Sequence, residues 1–241
     1  MARYVAESWR AETMPVHAFL VRHERGVCLF DVGQTPAAAK PGFFPRWHPF
    51  FRLARFELGA ADALPARLAA HGVAPAEVRW VVLSHLHTDH VGGIEACGGA
   101  EILVSRTEWE QARGIGGHLR GYLPHHWPRS LTPRLLDLEE GPMGPFSGSY
   151  DIAGDGALLV VPLPGHTSGH IGLLVRDEQG GVLLAGDAAH RAVELARVQP
   201  AVAAWCAEEG IVVATAHDDA ASALLASRKG GATAEAGLVT Q

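Results

Sequence analysis

Trp80-Val81-Val82-Leu83-Ser84-His85-Leu86-His87-Thr88-Asp89-His90 is the stretch on which the reading of this chain turns. A run of bulky apolar residues, read as a β-strand, delivers four potential metal ligands within six residues. In extended backbone, residues two apart point the same way, so His85 and His87 can grip one ion. Asp89 and His90 lie beyond the strand, where the turn into a helix redirects them toward a second ion. The spacing is not that of the helical HExxH zinc proteases, which need histidines four apart and a glutamate base. Three more candidates follow at wide intervals: His166 in Gly165-His166-Thr167, Asp187 in Gly186-Asp187-Ala188 and His217 in Ala216-His217-Asp218, each just past an apolar segment. Asp187, having two carboxylate oxygens, can span two cations, which distributes seven ligands over two divalent metal ions. Imidazole and carboxylate donors suit zinc, iron, cobalt or manganese, with zinc the default because it makes no geometric demand.

The chain has 241 residues, 48% of them hydrophobic, enough to fill a sizeable core. It reads as a single domain over 1–241, with the motif-bearing core at about 16–220 and a Gly/Ala tail that frays from Gly230. Cys28, Cys97 and Cys206 lie far apart with no CxxC pair, the pattern of a reduced, cytoplasmic protein. The stretch Met1-Ala2-Arg3-Tyr4-Val5-Ala6-Glu7 is charged and broken, without an apolar run of signal length. No later run approaches the about 20 residues of a membrane span, which argues against a membrane partner. A formal charge of −6 without a basic run argues against nucleic acid and favours a small, uncharged substrate. The Ala-rich, weakly polar surface offers a face for a homodimer.

Val16 to Leu20 and Gly26 to Asp31 read as two strands joined by a polar turn. Gln34 to Phe56 is a proline-broken loop carrying Phe43, Phe44, Trp47, Phe50, Phe51 and Phe56, which must cap the core or wall a pocket. Leu64 and Leu68 mark a short helix, Val78 to Ser84 a strand, Glu101 to Ser105 another, and Thr107 to Ala112 a helix. A short helix starts at Val91-Gly92-Gly93-Ile94. Gly114 to Pro133 is irregular, and its Tyr122, His125, His126 and Trp127 can line a pocket. Leu158 to Pro162, Gly169 to Arg176, Gly181 to Ala185 and Ile211 to Ala214 are strands; Val193 to Glu209 and Asp219 to Ser227 are helical. Strands in both halves, separated by helices, pack most simply as two facing sheets with helices outside.

The whole pattern of His85-x-His87-x-Asp89-His90, His166, Asp187 and His217 resembles the metallo-β-lactamase superfamily over about residues 16–220. The resemblance implies an α+β fold, a four-layer αββα sandwich with the metal site at one edge of the two sheets. It assigns His85, His87 and His166 to one metal, Asp89, His90 and His217 to the other, and Asp187 to both; Asp31 matches an early aspartate that orients the histidine loop. An aspartate at 187, together with Ser84 to Gly93 and the aromatic loop, is most similar to the N-acyl homoserine lactone lactonases. The implied reaction is opening of a lactone ester ring by a metal-bridging hydroxide, with Asp89 passing the proton to the leaving alkoxide. Other carboxylic ester, arylester or phosphotriester hydrolysis, or a glyoxalase II-like thioester hydrolysis, uses the same centre. Two positions depart from the lactonases: His190 stands where a tyrosine touches the substrate carbonyl, which makes it the candidate donor, and the interval from Asp187 to His217 is short. His170 falls where it can hydrogen-bond near the site.

Overall fold

The computed structural model describes residues 13–177 and 180–226 and the backbone of 234–240. The charged N-terminal stretch discussed above lies outside them. Among the described residues, eleven strands form two sheets. The first sheet contains β1 (His17–His23), β2 (Gly26–Phe30), β3 (Val78–Val82), β4 (Glu101–Ser105), β5 (Arg134–Leu136) and β11 (Ala234–Thr240), in the order β11-β1-β2-β3-β4-β5. The second contains β6 (Tyr150–Asp151), β7 (Leu158–Pro162), β8 (Ile171–Val175), β9 (Val182–Leu184) and β10 (Val212–Ala214), in the order β10-β9-β8-β7-β6. The described helices are α1 (Pro49–Leu53), α2 (Leu64–Ala70), α3 (Thr88–Val91), α4 (Arg106–Arg113), α5 (Leu195–Val198), α6 (Pro200–Glu208) and α7 (Ala221–Ala226). None is long and apolar enough to cross a membrane.

Side chains alternate faces along a strand, and here both faces are buried. In β1, Phe19 and Val21 turn toward the second sheet; in β7, Leu158 and Val160 answer them, with Phe30, Trp80 and Leu173 in the same inter-sheet core. The opposite residues, Leu20 of β1, Leu29 of β2 and Val81 of β3, face outward onto Leu64 and Leu68 of α2 and Val91 of α3. On the far side, Leu159, Val161 and Leu183 pack against Leu195 of α5 and Val202 and Cys206 of α6. Helix, sheet, sheet and helix therefore form the four layers of an αββα sandwich.

Strand direction positions the site. β2 and β3 are parallel, and β9 is parallel to β10. Because β7 and β9 each pair antiparallel to β8, they run the same way. A backbone bond from Ile171 N–H to the Ser84 carbonyl, 2.9 Å, ties the loop after β3 to the start of β8 across the sandwich. The loops that follow β2, β3, β7, β9 and β10 thus gather at one edge.

The C-terminal segment differs from the expectation of a frayed tail. Ala234–Thr240 pairs antiparallel with all seven residues of β1, from His17↔Thr240 to His23↔Ala234. The open N–H and C=O groups on the outer edge of β1 are a template for another strand, and this outweighs the weak β propensity of Gly and Ala. β5 and β6 also escaped the sequence reading, being only three and two residues long. The helix expected from Val91 begins earlier, at Thr88, so Asp89 and His90 sit in its first turn. The aromatic loop holds the short helix α1, opened by Pro49.

Candidate metal centre

All seven candidate ligands meet at this edge. His85 and His87 leave β3, Asp89 and His90 lie in α3, His166 follows β7, Asp187 follows β9 and His217 follows β10. His87 Nδ1 lies 3.0 Å from both His85 Nε2 and His166 Nε2. Asp89 Oδ2 lies 3.8 Å from His90 Nε2 and 3.7 Å from His217 Nε2. Asp187 stands between the two groups. Its Oδ1 faces His90 Nε2 at 3.4 Å and His217 Nε2 at 3.3 Å, and its Oδ2 faces His166 Nε2 at 3.5 Å and His85 Nε2 at 3.9 Å. His85, His87 and His166, then His85, His90 and Asp187, then Asp89, His90 and His217 each form a set that could hold an ion.

The outer nitrogens of these imidazoles are committed elsewhere, which fixes what the inner ones present. His90 Nδ1 donates to Asp31 Oδ2 at 2.8 Å, His87 Nε2 to the Arg120 carbonyl at 2.8 Å, and His217 Nδ1 to the Pro15 carbonyl at 2.8 Å. Ser84 Oγ donates to Asp31 Oδ2 at 2.8 Å and is left to accept from His85 Nδ1 at 2.9 Å. Lone pairs on His85 and His87, and on His90 and His217 once each gives up a proton, consequently converge on the cluster. Among the described residues, buried His90 Nε2 and Asp187 Oδ1 have no hydrogen-bond partner. Facing acceptors and orphaned buried atoms are costly without positive charge between them, so the residues fit a pair of cations.

Electrostatics agree. Burial drives the imidazoles of His85 and His87 below their ordinary range and that of His166 down to about 4. Burial also opposes charge on His90 and His217, but neighbouring carboxylates outweigh it: Asp187, Asp31 and Asp89 hold His90 well above its ordinary value, and Asp187 and Asp89 push His217 up to about 9. Burial would raise Asp187, yet His90 and His217 hold it well below the usual carboxylate range. Protons on His90 and His217 thus occupy, in the bare protein, the place where cation charge belongs.

The centre, the two-sheet edge and the ligand order match one family: the model of the metallo-β-lactamase superfamily covers residues 11–229. The chain belongs to the metallo-β-lactamase superfamily. Among curated proteins, the N-acyl homoserine lactonase AttM of Azorhizobium caulinodans is 34% identical over 189 residues, 73% of this chain and 66% of that protein. The N-acyl homoserine lactonase AiiB of Agrobacterium fabrum is 34% identical over 191 residues, 77% of this chain and 67% of that one. The match therefore spans about two thirds of these relatives' length. In fold, the chain resembles the crystal structure of a B. thuringiensis AiiA mutant with N-decanoyl-L-homoserine bound at its active site: TM-score 0.69, 22% identity, 89% of this chain and 86% of that one.

Around this superfamily centre, Asp31 does what its position suggested. It adopts φ 59°, a left-handed conformation that Asp tolerates better than most residues, and from there its Oδ1 accepts from Ser84 N–H at 2.7 Å. His170 is buried, and its Nε2 accepts from the backbone N–H of Asp187 at 3.1 Å; burial lowers its pKa to about 3, keeping that acceptor free. Gly186, at φ +50°, lets this contact form, since a Cβ there would lie 2.8 Å from Ser84 Cβ and 2.9 Å from His170 Nε2. His190 is exposed, its ring 6.3 Å from that of His217. Tyr122 is buried with its ring 5.0 Å from that of His87. Trp127 stacks on Trp109 at 5.4 Å and His126 rests on Phe43 at 4.2 Å, whereas His125 is exposed. His17, which no spacing tied to the cluster, bonds the Asp218 carbonyl at 3.0 Å beside His217.

Sequence reasoning missed Glu108. It is fully buried, with Oε1 accepting from Leu86 N–H at 2.9 Å and Oε2 from Thr167 Oγ1 at 2.7 Å. One carboxylate thereby clamps the loop carrying His85 and His87 to the loop carrying His166. Ser105-Arg106-Thr107-Glu108 has the form of a helix capping box, and Ser105 Oγ does accept from Glu108 N–H at 3.1 Å. That ordinary local signal conceals a side chain turned away from its own helix.

Proposed function

We propose that this chain is a metal-dependent hydrolase that opens the ester ring of a lactone, with N-acyl homoserine lactones as the substrate class. The observation that carries the reading is the split of Asp187, one oxygen toward His85 and His166 and the other toward His90 and His217. In this reading His85, His87 and His166 hold one divalent cation, Asp89, His90 and His217 the other, and Asp187 both. When bound, the cations supply Lewis acidity and a water of lowered pKa, so no serine or cysteine nucleophile is required. Zinc suits the donor set, which iron, cobalt or manganese would also accept.

The chain's own residues supply the rest. His87, Asp89, His166 and His217 are the partly or fully exposed members of the cluster, whereas His85, His90 and Asp187 are buried, so a substrate carbonyl approaches from the exposed side. Asp89 accepts a proton there and returns it to the leaving alkoxide. His190, beside His217, donates to the substrate carbonyl or the leaving oxygen in place of a tyrosine. AttM and AiiB, named as N-acyl homoserine lactonases, support the substrate class. The three cysteines are buried and unbridged, which suits a reducing, cytoplasmic compartment.

The test is a hydrolysis panel on metal-loaded protein: acyl homoserine lactones of several chain lengths, an aryl ester, a phosphotriester and S-lactoylglutathione. Selective turnover of the lactones is expected. Preference for another group reassigns the substrate, and no metal-dependent turnover of any of them overturns the reading.

A further inference from the structure

We propose that Thr215 and Asp218, on either side of His217, are positioning residues that hold the backbone at His190, so that one short loop sets both a metal ligand and the group donating to the substrate. The inference rests on the reading of His190 as that donor. Among the described residues, the His190 side chain takes part in no hydrogen bond; it is exposed, with its ring 6.3 Å from that of His217. Its placement is therefore set by its backbone. The loop after β10 grips that backbone. Ala216 N–H donates to the Gly186 carbonyl, Thr215 Oγ1 to the His190 carbonyl and Ala192 N–H to Asp218 Oδ2, each at 3.0 Å. Residues 215–218 and 186–192 are thereby locked side by side.

The residue types argue for more than packing. Thr215 is fully buried, directly after the apolar Val212-Val213-Ala214 of β10. A buried hydroxyl costs free energy that valine, of similar shape, would not incur, unless the hydroxyl bonds a partner. Its partner is the carbonyl of His190, 25 residues away. Asp218 is anchored from two directions. At the start of α7 its Oδ1 accepts from Ala220 N–H and its carbonyl from Ala221 N–H, each at 3.0 Å, and the same carbonyl accepts from His17 Nε2 of β1 at 3.0 Å. Oδ2 is left for Ala192 N–H, so one carboxylate ties the turn after His190 to α7 and β1. The metal ligands do not need these bonds. His217 Nδ1 already donates to the Pro15 carbonyl, and the backbone N–H of Asp187 to His170. Without them the exposed residues at 190 and 191 would move on the timescale of a loop, and a donor misplaced by about 1 Å can forfeit on the order of 10²-fold in rate.

The test is a pair of double-mutant cycles on the metal-loaded protein, with kcat and KM measured on N-decanoyl homoserine lactone and on phenyl acetate. Thr215→Val and Asp218→Ala are each made alone and together with His190→Ala. His190→Ala should lower kcat at least about tenfold. Thr215→Val and Asp218→Ala should each lower it about three- to tenfold, the factor that one net hydrogen bond represents, with KM held within about twofold. Added to His190→Ala, neither should lower kcat further, because a residue acting through His190 has nothing left to position. Thr215→Ser, which keeps the hydroxyl, should restore turnover. Independently of activity, the Ala192 amide proton should exchange at least about tenfold faster in Asp218→Ala, and the cobalt absorption of both variants should match that of the natural chain. Equal losses with and without His190 overturn the proposal, as do unaltered turnover in both variants or an altered cobalt spectrum, which would place the two residues in support of His217 instead. A silent His190→Ala removes the donor reading of His190, and the inference with it; a natural chain that hydrolyses neither substrate refutes the hydrolase reading as well. Should Asp218→Ala fail to fold, Thr215→Val and Thr215→Ser decide the matter.

Discussion

Replacing Asp31 by Asn would reverse hydrogen-bond polarity through the centre while changing almost no volume. Oδ1 accepts from the backbone N–H of Ser84 at 2.7 Å, a donor that cannot turn, so the Asn oxygen must stay there. The new amide NH₂ then takes the place of Oδ2, facing His90 Nδ1 and Ser84 Oγ, each at 2.8 Å. It must donate to both. His90 would carry its proton on Nε2, the nitrogen aimed at Asp187 and Asp89. Ser84 Oγ, now receiving a hydrogen, would donate to His85 Nδ1 and push that proton to Nε2 as well. Both changes aim an N–H at a position that needs a lone pair, one in each half of the cluster. Loss of such a supporting partner costs about 10- to 100-fold in metal affinity per ligand, so the pair should lose on the order of 10²–10⁴-fold. Folding stability of the metal-free protein should fall as well, by about 3 kcal/mol, because buried, protonated His90 loses a charged partner. Metal affinity measured by chelator competition, with cobalt absorption to report both sites and denaturant unfolding of the metal-free protein alongside, would separate the two effects. Two equivalents of metal bound at natural affinity would refute the tautomer argument, as would a loss of affinity that merely tracks a loss of stability.

Glu108→Ala removes both anchors of the ligand loops and leaves Leu86 N–H buried without an acceptor. A loss of about 3–5 kcal/mol on denaturant unfolding is expected, with weakened metal binding, and Glu108→Gln should restore most of both. Gly186→Ala puts a methyl group against Ser84 and His170 at positive φ, which should cost about 2–4 kcal/mol and appear as a lowered Tm. The pH dependence follows from His217. Its pKa in the folded, metal-free protein is about 9 against an ordinary 6.5, so its contribution to stability is full below 6.5 and is lost as pH rises through about 9. The Tm of the metal-free protein should therefore fall across that window. Metal uptake should release protons below about 9, and its apparent affinity should climb with pH up to that point; a flat profile would exclude a protonated His217.

Legibility followed the range of the interaction. β1 to β4 and β7 to β10 were readable because short apolar runs end at polar turns. β5 and β6 were not, since three or two residues carry no periodicity and their pairing depends on β4 and β7 being already in place. The tail was misread because its composition speaks for fraying, while the unpaired edge of β1 that recruits it lies more than two hundred residues away in the chain. Asp31 was placed near the site by the family resemblance and His170 by its position after His166. Glu108 was invisible because its two partners, Leu86 and Thr167, belong to loops 22 and 59 residues distant.

From residue order alone came the identity of the seven candidate ligands and the two-sheet class, because ligands that close a strand cluster visibly and buried strands are visibly apolar. Which oxygen of Asp187 faces which histidines, which nitrogen of each imidazole carries the proton, and which side chains hold the backbone at His190 were decided only in three dimensions. Those properties depend on distances of 3–4 Å between groups far apart in the chain, and Coulomb and hydrogen-bond energies are set by such distances rather than by sequence spacing.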